Sequence, residues 1–319
     1  MRLKLLIPPL VLILCLSCLS GLPKVVIPEA DIIYQVVSDS SENDHLSPQV
    51  GFINADGTGK TSITLSENYL IRPFMSKSMD GIYYFTPFEP SISAGGLGIH
   101  ILSSDGTYST CRTLDEDYNY NGFVFPVSFQ GKRDLLVSNP SRIEIINFDS
   151  GKCNVIKTPA QVSDPRNEFI GMASPANKSS LIIYSESVNS SPSASSDTIK
   201  TLDLQTGTEK KILEGGWSPT FSPDDQSIAY TDDNGIYVAN ADGAKPRRIV
   251  SFHVPNPLIE SGHGWSAYPF WSPDGKWLVY HKCSDNCKTS LDFAIYKVNI
   301  DSGVEQKITD MGLYPVWIR

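Results

Sequence analysis

Residues 269–280 read PFWSPDGKWLVY, and residues 219–230 read PTFSPDDQSIAY, so one phrase occurs twice at a spacing of 50 residues. In both copies a short apolar run leads into a Ser-Pro-Asp turn, and a second apolar run follows. Proline presets φ for a turn, aspartate bonds to the turn backbone, and glycine accepts positive φ. The phrase therefore predicts a β-hairpin.

Weaker copies of the same hairpin run through most of the chain. The serine of the turn recurs at steps of 50, 46, 48 and 50 residues, at Ser78, Ser128, Ser174, Ser222 and Ser272. A second turn, in which glycine follows a short strand, occurs six times, at Gly57, Gly106, Gly151, Gly207, Gly243 and Gly303. Each period holds four short strands, which is the pattern of a propeller blade. One blade cannot bury both of its faces alone, so the blades stack around an axis.

The glycine turns predict an all-β fold, a six-bladed β-propeller of four-stranded antiparallel blades in one domain over residues 22–319. One innermost strand is missing from the series of serine turns. Residues 314–317 (YPVW) match residues 268–271 (YPFW), and the sequence then stops. We therefore expect the C-terminal strand to complete the first blade and to close the ring.

The phrase PxWSPDGK, followed by an apolar strand and a DG or DSG turn, resembles the WD40-like (PD40), or TolB-type, propeller family. The resemblance covers nearly the whole chain beyond the N-terminal segment and is strongest at residues 219–243 and 269–303. It implies a six-bladed propeller outside the cytoplasm. It implies little about a ligand, since members serve as partner-binding proteins or as domains that gate peptidases.

The N-terminal segment, residues 1–21, has a short basic start, an apolar stretch and small residues, which is the layout of an export signal. Its apolar stretch is shorter than the ~20 residues that span a bilayer. The sequence around Cys18 resembles a bacterial lipobox, which implies lipidation of Cys18 and a lipid anchor in the cell envelope. Ordinary cleavage, giving a secreted protein, is the alternative.

The rest of the chain is acidic and contains four cysteines. Beyond Arg2 and Lys4 there are 24 basic and 35 acidic residues, a balance that disfavours nucleic acid and anionic lipid as partners. Cys283 and Cys287 have the spacing of a local disulfide, which an oxidising compartment permits. Cys111 and Cys153 are either a second pair or two buried thiols.

The short, similar turns of one face predict a structural role, whereas the long loops of the other face are suited to binding. The loop over residues 252–266 brings His253, His263 and Trp265 beside the axis, where they could line a site for a small molecule or sugar. A loop that packs on its own side chains is the alternative. The polar loop of residues 185–197 (SESVNSSPSASSD) is predicted to be flexible.

Residues 115–122 (DEDYNYNG) space oxygen donors two apart, as calcium loops do, with Asp115, Asp117, Asn119 and Asn121 as candidate ligands. A bidentate carboxylate at the last EF-hand position is missing, so a solvated acidic loop is the alternative. The sequence contains no GxSxG, HExxH, P-loop or dinucleotide motif. No cofactor is expected, apart from possible calcium.

The sequence thus favours a non-catalytic, exported scaffold that binds a protein or cell-envelope partner through its variable loops. An enzyme or small-molecule site near His253, His263 and Trp265 is the alternative. A monomer is expected, because ring closure makes oligomerisation unnecessary for folding.

Overall fold

The structure is a computed structural model. It describes residues 27–37, 49–64, 71–76, 81–87, 97–103, 108–114, 123–127, 134–139, 142–147, 150, 152–159, 168–191, 194–252, 267–283 and 292–318. Within these residues, the strands form six antiparallel four-stranded sheets. The fold is an all-β propeller whose blades are these sheets. None of the described residues forms a helix long and apolar enough to cross a membrane.

Five of the sheets each consist of four consecutive strands. One contains β4 (Ile71–Ser76), β5 (Gly81–Pro87), β6 (Leu97–Ser103) and β7 (Tyr108–Leu114). The next contains β8 (Phe123–Val127), β9 (Asp134–Asn139), β10 (Arg142–Asn147) and β11 (Cys153–Lys157). The third contains β12 (Glu168–Pro175), β13 (Leu181–Ser191), β14 (Ala194–Asp203) and β15 (Glu209–Glu214). The fourth contains β16 (Trp217–Phe221), β17 (Ser227–Asp232), β18 (Gly235–Asn240) and β19 (Arg247–Ser251). The fifth contains β20 (Phe270–Trp271), β21 (Trp277–Cys283), β22 (Phe293–Asn299) and β23 (Glu305–Asp310).

The remaining sheet joins the two ends of the described chain. It contains β1 (Ile32–Val36), β2 (Gln49–Ile53), β3 (Thr61–Thr64) and β24 (Gly312–Trp317), in the order β24-β1-β2-β3. Strand β24 pairs with β1 through Ile33 opposite Val316 and Gln35 opposite Leu313. The prediction that the last strand completes the first blade is confirmed.

The first strand of each sheet lies at the centre of the molecule. These innermost strands contact one another in a closed ring, in the order β24, β4, β8, β12, β16, β20 and back to β24. The repeated phrase is therefore an innermost strand with the turn that leads to the second strand, as the sequence predicted.

The hydrophobic core lies between neighbouring sheets rather than inside any one of them. Ile32 and Tyr34 of β1, for example, pack with Val279 and Ile295 of the preceding sheet. Similar buried clusters join β9 to β13 and β13 to β17. Because apolar residues of adjacent sheets bury one another, the stacking of the blades itself supplies the core.

The two ends of the propeller differ, and we name them by their connections. The turn face holds the turns between first and second strands and between third and fourth strands. In its repeated turn the Ser272 hydroxyl donates to Asp274 (2.5 Å) and accepts the Trp277 N–H (2.9 Å). Ser222 makes the same two bonds, to Asp224 (2.6 Å) and from Ser227 (3.0 Å). The motif therefore closes its own turn.

The variable face is the opposite end, where second strands lead to third strands. Near this face, the pairing of innermost with second strands is interrupted by a register shift in four sheets, at β4, β12, β16 and β24. Two of the bulged residues, Ser218 and Tyr314, have positive φ (53° and 49°) directly before a proline. Bulges of this kind bend a strand and re-aim its side chains.

Candidate functional site at the axial mouth

The residues predicted from sequence to bind ligands lie outside the described part of the chain. This holds for His253, His263 and Trp265, for the calcium candidates Asp115, Asp117, Asn119 and Asn121, and for Cys18. Their roles stay predictions. Among the described residues, no group of three or more His, Cys, Asp or Glu side chains could hold a metal ion.

Two of the cysteines for which disulfides were considered, Cys153 and Cys283, lie in the described part of the chain. Cys283 is disulfide-bonded. Cys287 lies outside the described residues, so the pairing of these two cysteines stays a prediction. Cys153 carries a thiol that donates to the Glu144 carboxylate (2.6 Å). Of the two readings left open for Cys111 and Cys153, a disulfide between them is therefore wrong.

The structure brings together four aromatic side chains that we call the mouth cluster: Tyr268, His281, Phe293 and Tyr314. The ring centroid of His281 lies 5.7 Å from Tyr268, 5.6 Å from Phe293 and 5.1 Å from Tyr314. Tyr268 and Tyr314 are 5.3 Å apart. Tyr268 lies two residues before β20 and Tyr314 lies in β24, so the cluster stands where two innermost strands begin at the variable face.

His281 is the polar centre of the mouth cluster and is only 1% exposed. Its Nδ1 accepts the backbone N–H of Tyr314 at 3.2 Å. An imidazole nitrogen that accepts a hydrogen bond is unprotonated, so a neutral His281 carries its proton on Nε2. The imidazole thus supports the positive-φ backbone of Tyr314 at the bulge.

Below the mouth cluster the axis is filled by side chains. Phe270 of β20 meets Phe125 of β8 with ring centroids 6.0 Å apart. In the ring of innermost strands, β8 and β20 stand opposite each other, so this contact crosses the axis. Tyr268 and Phe270 also pack against the buried cluster around Leu136 and Ile182 on the far side. These aromatic side chains therefore occupy part of the axis at this level.

His281 occupies a position at which other blades also bury a polar residue. The equivalent residues directly follow a run of three apolar residues in the second strand and are at most 2% exposed: Gln35, Ser138, Ser185, Thr231 and His281. Ser138 accepts the Ala173 N–H of the next blade (3.0 Å), and Thr231 donates to the Trp217 carbonyl (3.1 Å). These side chains satisfy backbone groups at the bulged innermost strands.

Sequence reasoning missed this position because its residues differ from blade to blade. Only the shared spacing after the apolar strand could have drawn attention to it. In the sheet of β12 to β15, the bulge in β12 also favours glycine. A Cβ on Gly171 would lie 2.2 Å from the Ser185 hydroxyl oxygen. The position is a support for the backbone and not by itself a ligand site.

A buried ion-pair network lies farther from the axis, between β11 and the sheet of β13. Glu186 is 3% exposed and pairs with Lys200 and, at 3.7 Å, with Lys157. Lys157 also pairs with Glu209 at 2.8 Å. Burial raises the pKa of the neighbouring Tyr184 phenol, and the Glu209 and Glu186 charges raise it further. Tyr184 therefore stays neutral, and the network couples two blades electrostatically.

The polar segment predicted to be a flexible loop, residues 185–197, is a β-hairpin, and that prediction is wrong. Strands β13 and β14 pair from Leu181 opposite Asp203 to Ser191 opposite Ala194. Near the base of this extension, Ser187 bonds to the Asp197 carboxylate. Composition misled here because serine-rich segments lack apolar side chains, yet backbone hydrogen bonds alone can continue a hairpin that the blade has already started.

Comparisons with known proteins agree with the fold. No family profile matches the chain. Dipeptidyl peptidase 4 of Felis catus is 24% identical over 216 residues, which cover 62% of this chain and 28% of that protein. The chain thus spans less than a third of this curated relative.

Solved structures with similar folds come from several kinds of protein. The putative TolB of Agrobacterium tumefaciens superposes with a TM-score of 0.58 at 14% identity, over 89% of this chain and 91% of that one. Apo AztD of Citrobacter koseri gives 0.52 at 9% identity, over 91% and 98%. A puromycin-hydrolysing peptidase of Mycobacterium tuberculosis gives 0.51 at 16% identity, over 75% and 38%. At these identities the likeness concerns the propeller fold alone.

Proposed function

We propose that this chain is an exported, non-catalytic, six-bladed propeller that binds a protein or cell-envelope partner through its variable face. The single observation that carries the proposal is the filled axis, with Phe270 against Phe125 below the mouth cluster. A deep axial pocket is the usual place for a small substrate in a ring-shaped fold, and here side chains occupy that space. Binding then falls to the loops and hairpins around the mouth.

The polar residues near the mouth support the same proposal. His281, Ser138 and Thr231 are buried and bond to backbone groups of the innermost strands. A side chain committed to strained backbone is poorly placed for proton transfer, since its release would expose an unsatisfied N–H. The proposed partner is a protein or envelope component rather than nucleic acid, because the chain carries a formal charge of −9.

The proposal includes the cellular setting that the sequence suggests. Export with lipidation at Cys18 would tether a monomeric propeller to the cell envelope, and cleavage without lipidation would secrete it. The similarity to a putative TolB fits an envelope setting. Mass spectrometry of the mature N-terminus in the native host distinguishes a diacylated Cys18 from a free N-terminus.

Site-specific photo-cross-linking tests partner binding. A photoreactive residue at Asn234, in the turn between β17 and β18, samples the variable face. The matched control at Thr206, between β14 and β15, samples the turn face. Both positions are exposed. We expect a discrete adduct, reproducible from envelope extracts, from Asn234 and none from Thr206; equal adducts from both, or none from either, would contradict the proposal.

A small-molecule or sugar site, with or without catalysis, is the second candidate. Its supporting observation is the position of the mouth cluster, whose Tyr268 follows the 253–266 loop within two residues. Replacing His253, His263 and Trp265 together with alanine should then abolish binding of a mono- or disaccharide, measured by calorimetry, with little change in Tm. A large fall in Tm would instead indicate that these residues pack the loop.

A further inference from the structure

The hairpin of β13 and β14 extends beyond its blade, and we call its outer part the arm: residues 188–191 and 194–197. Pairing of β12 with β13 stops at Val188. Pairing of β14 with β15 stops at Thr198, opposite Glu214. Beyond these pairs the arm is a two-stranded ribbon, so the outer edge of β14 has no neighbouring strand among the described residues.

One hydrogen bond shows which backbone N–H and C=O groups of β14 point away from β13. The Asp197 carbonyl accepts the Gly215 N–H at 2.8 Å, so the peptide groups of Asp197 face away from β13. Alternate residues of a strand direct their N–H and C=O to the same side. Ser195 therefore also directs its backbone groups outward, whereas Ser196 directs its own toward β13.

The arm edge lacks the protection that the other edges of this protein have. Lysine, arginine and proline on an edge strand discourage pairing with another chain. Each outermost strand contains or directly follows a basic residue: Lys60 before β3, Arg112 in β7, Lys157 in β11, Lys210 and Lys211 in β15, Arg247 and Arg248 in β19, and Lys307 in β23. The arm edge reads Ala-Ser-Ser-Asp, with neither a basic residue nor a proline.

We propose that the arm edge, Ala194–Asp197, binds an extended, basic segment of a partner protein by adding it as a strand. An extended backbone is the ligand that complements the outward N–H and C=O of Ser195 and the outward N–H of Asp197, whose C=O already accepts the Gly215 N–H. The incoming strand would continue the line of β15 beyond Glu214, whose side chain is 79% exposed. This inference rests on the proposed partner-binding function and names the kind of partner.

Charge favours a basic segment over a second copy of this chain. Two copies would repel each other, because each carries a formal net charge of −9 over its whole chain. Self-pairing would also be confined to the four edge residues and would place an Asp197 at each end of the shared ladder. A lysine- or arginine-bearing segment meets neither obstacle.

A peptide selection tests whether the arm binds extended peptides through its outward backbone groups. Random 12-residue peptides displayed on phage are selected on the intact protein, and synthetic copies are measured by fluorescence anisotropy. The key variant is Ser195→Pro, which removes an outward N–H that the hairpin does not use. Ser195→Ala is the matched control, because it deletes the hydroxyl and keeps the backbone donor.

We expect selected peptides to carry lysine or arginine, to bind the wild type and Ser195→Ala equally, and to bind Ser195→Pro about tenfold or more weakly, as one or two lost hydrogen bonds would dictate. Hydrogen exchange on the wild type gives a second readout, since a bound peptide should slow exchange at the amides of Ser195 and Asp197. Equal binding to the proline variant, failure to select any peptide, or unchanged exchange would overturn the proposal.

Sedimentation tests the alternative that the arm edge binds a second copy of the chain. A concentration-dependent dimer that Ser195→Pro abolishes would assign the edge to that second copy and would overturn the proposal of a basic partner segment. The cross-linking at Asn234 separates this proposal from the broader one. If the Asn234 adduct persists in Ser195→Pro while peptide binding never depends on the arm, only the arm proposal fails. If no variable-face adduct forms at all, the partner-binding function fails with it.

Discussion

The two faces of this propeller satisfy their difficult backbone positions in different ways. On the turn face, Ser272 bonds to Asp274 and to the Trp277 N–H, all within six residues of sequence. On the variable face, the strained Tyr314 is held by His281, which is 33 residues away and in another blade. The repeated turn-face motif is therefore closed by local contacts, whereas Tyr314 on the variable face is supported by a contact that exists only when the blades assemble.

The largest change in stability is expected when the hydrogen bond between His281 and the Tyr314 backbone is removed. His281→Leu removes the imidazole acceptor of the part-buried N–H of Tyr314, a residue with positive φ, so we expect a loss of about 3 kcal/mol in the free energy of unfolding. Urea unfolding monitored by tryptophan fluorescence measures it. His281→Gln, which can still accept, should lose clearly less; equal losses would show that ring packing, and not the hydrogen bond, matters.

A smaller effect is expected at Asp225, a turn-face residue that bonds across blades. It has φ of +63° where the equivalent residue is Gly275. Its carboxylate accepts the N–H groups of Asn177 (2.8 Å) and Lys178 (2.7 Å). Asp225→Ala loses these bonds and keeps the strain, so we expect a loss of about 2 kcal/mol by urea unfolding.

Asp225→Gly is the control for that measurement, because glycine adopts the same φ without strain. It should lose about half as much stability as Asp225→Ala. A glycine variant as unstable as the alanine variant would mean that the hydrogen bonds carry the whole effect. The faces would then differ less than the geometry indicates.

A turn that is held only by local hydrogen bonds should lose less stability when one of its side chains is truncated. Ser272→Ala removes two short-range hydrogen bonds at the start of a hairpin, and we expect a loss of about 1 kcal/mol. Ser302→Ala, at an exposed turn, provides the baseline and should change the free energy of unfolding by less than about 0.5 kcal/mol. If Ser272→Ala matched His281→Leu, the contrast between the faces would be lost.

The smallest effect is a pH dependence of the turn face. Hydrogen bonds from Ser222 and Ser272 lower the pKa of Asp224 and Asp274 below their usual value. A lowered pKa in the folded state adds stability above the unfolded-state pKa, near 3.9, and this stability disappears as the pH falls through the folded-state pKa.

The double variant Asp224→Asn and Asp274→Asn lacks these carboxyls. Its Tm should therefore fall less than that of the wild type between pH 7 and pH 3, by about 2 °C, because both groups are exposed and solvent screens them. Differential scanning calorimetry at the two pH values makes the comparison. An identical acid sensitivity in wild type and variant would assign the pH dependence to other groups.

Much of the fold could be predicted because its signals are local and repeated. The phrase around Ser222 and Ser272 specifies a turn by its own side chains, and the recurring apolar runs became the second strands β5, β9, β13, β17 and β21. The arm shows where such reasoning fails. Residues 189–191 and 194–197 are asparagine, serine, alanine and aspartate, so composition predicted a loop, yet the strands of the blade extend their hydrogen-bond ladder into them.

The site could be predicted only as a region. Sequence directed attention to the long loops near the axis and to His253 and His263, because loops over a rigid scaffold often bind ligands. It gave no sign that His281 supports Tyr314 or that Phe270 and Phe125 fill the axis. These residues meet across 33 and 145 positions of sequence, and no short motif records such a contact.

The sequence by itself determined that the chain is a repeat of four-stranded units and that its last strand closes the first blade. Those features follow from turn chemistry and strand periodicity, which act within a few residues. The tertiary structure alone decided which side chains face the axis, which buried polar groups support the bulges, and which strand edge has no neighbouring strand among the described residues. These outcomes depend on how neighbouring blades pack, because burial and hydrogen-bond partners are set by residues that become neighbours only after the ring forms.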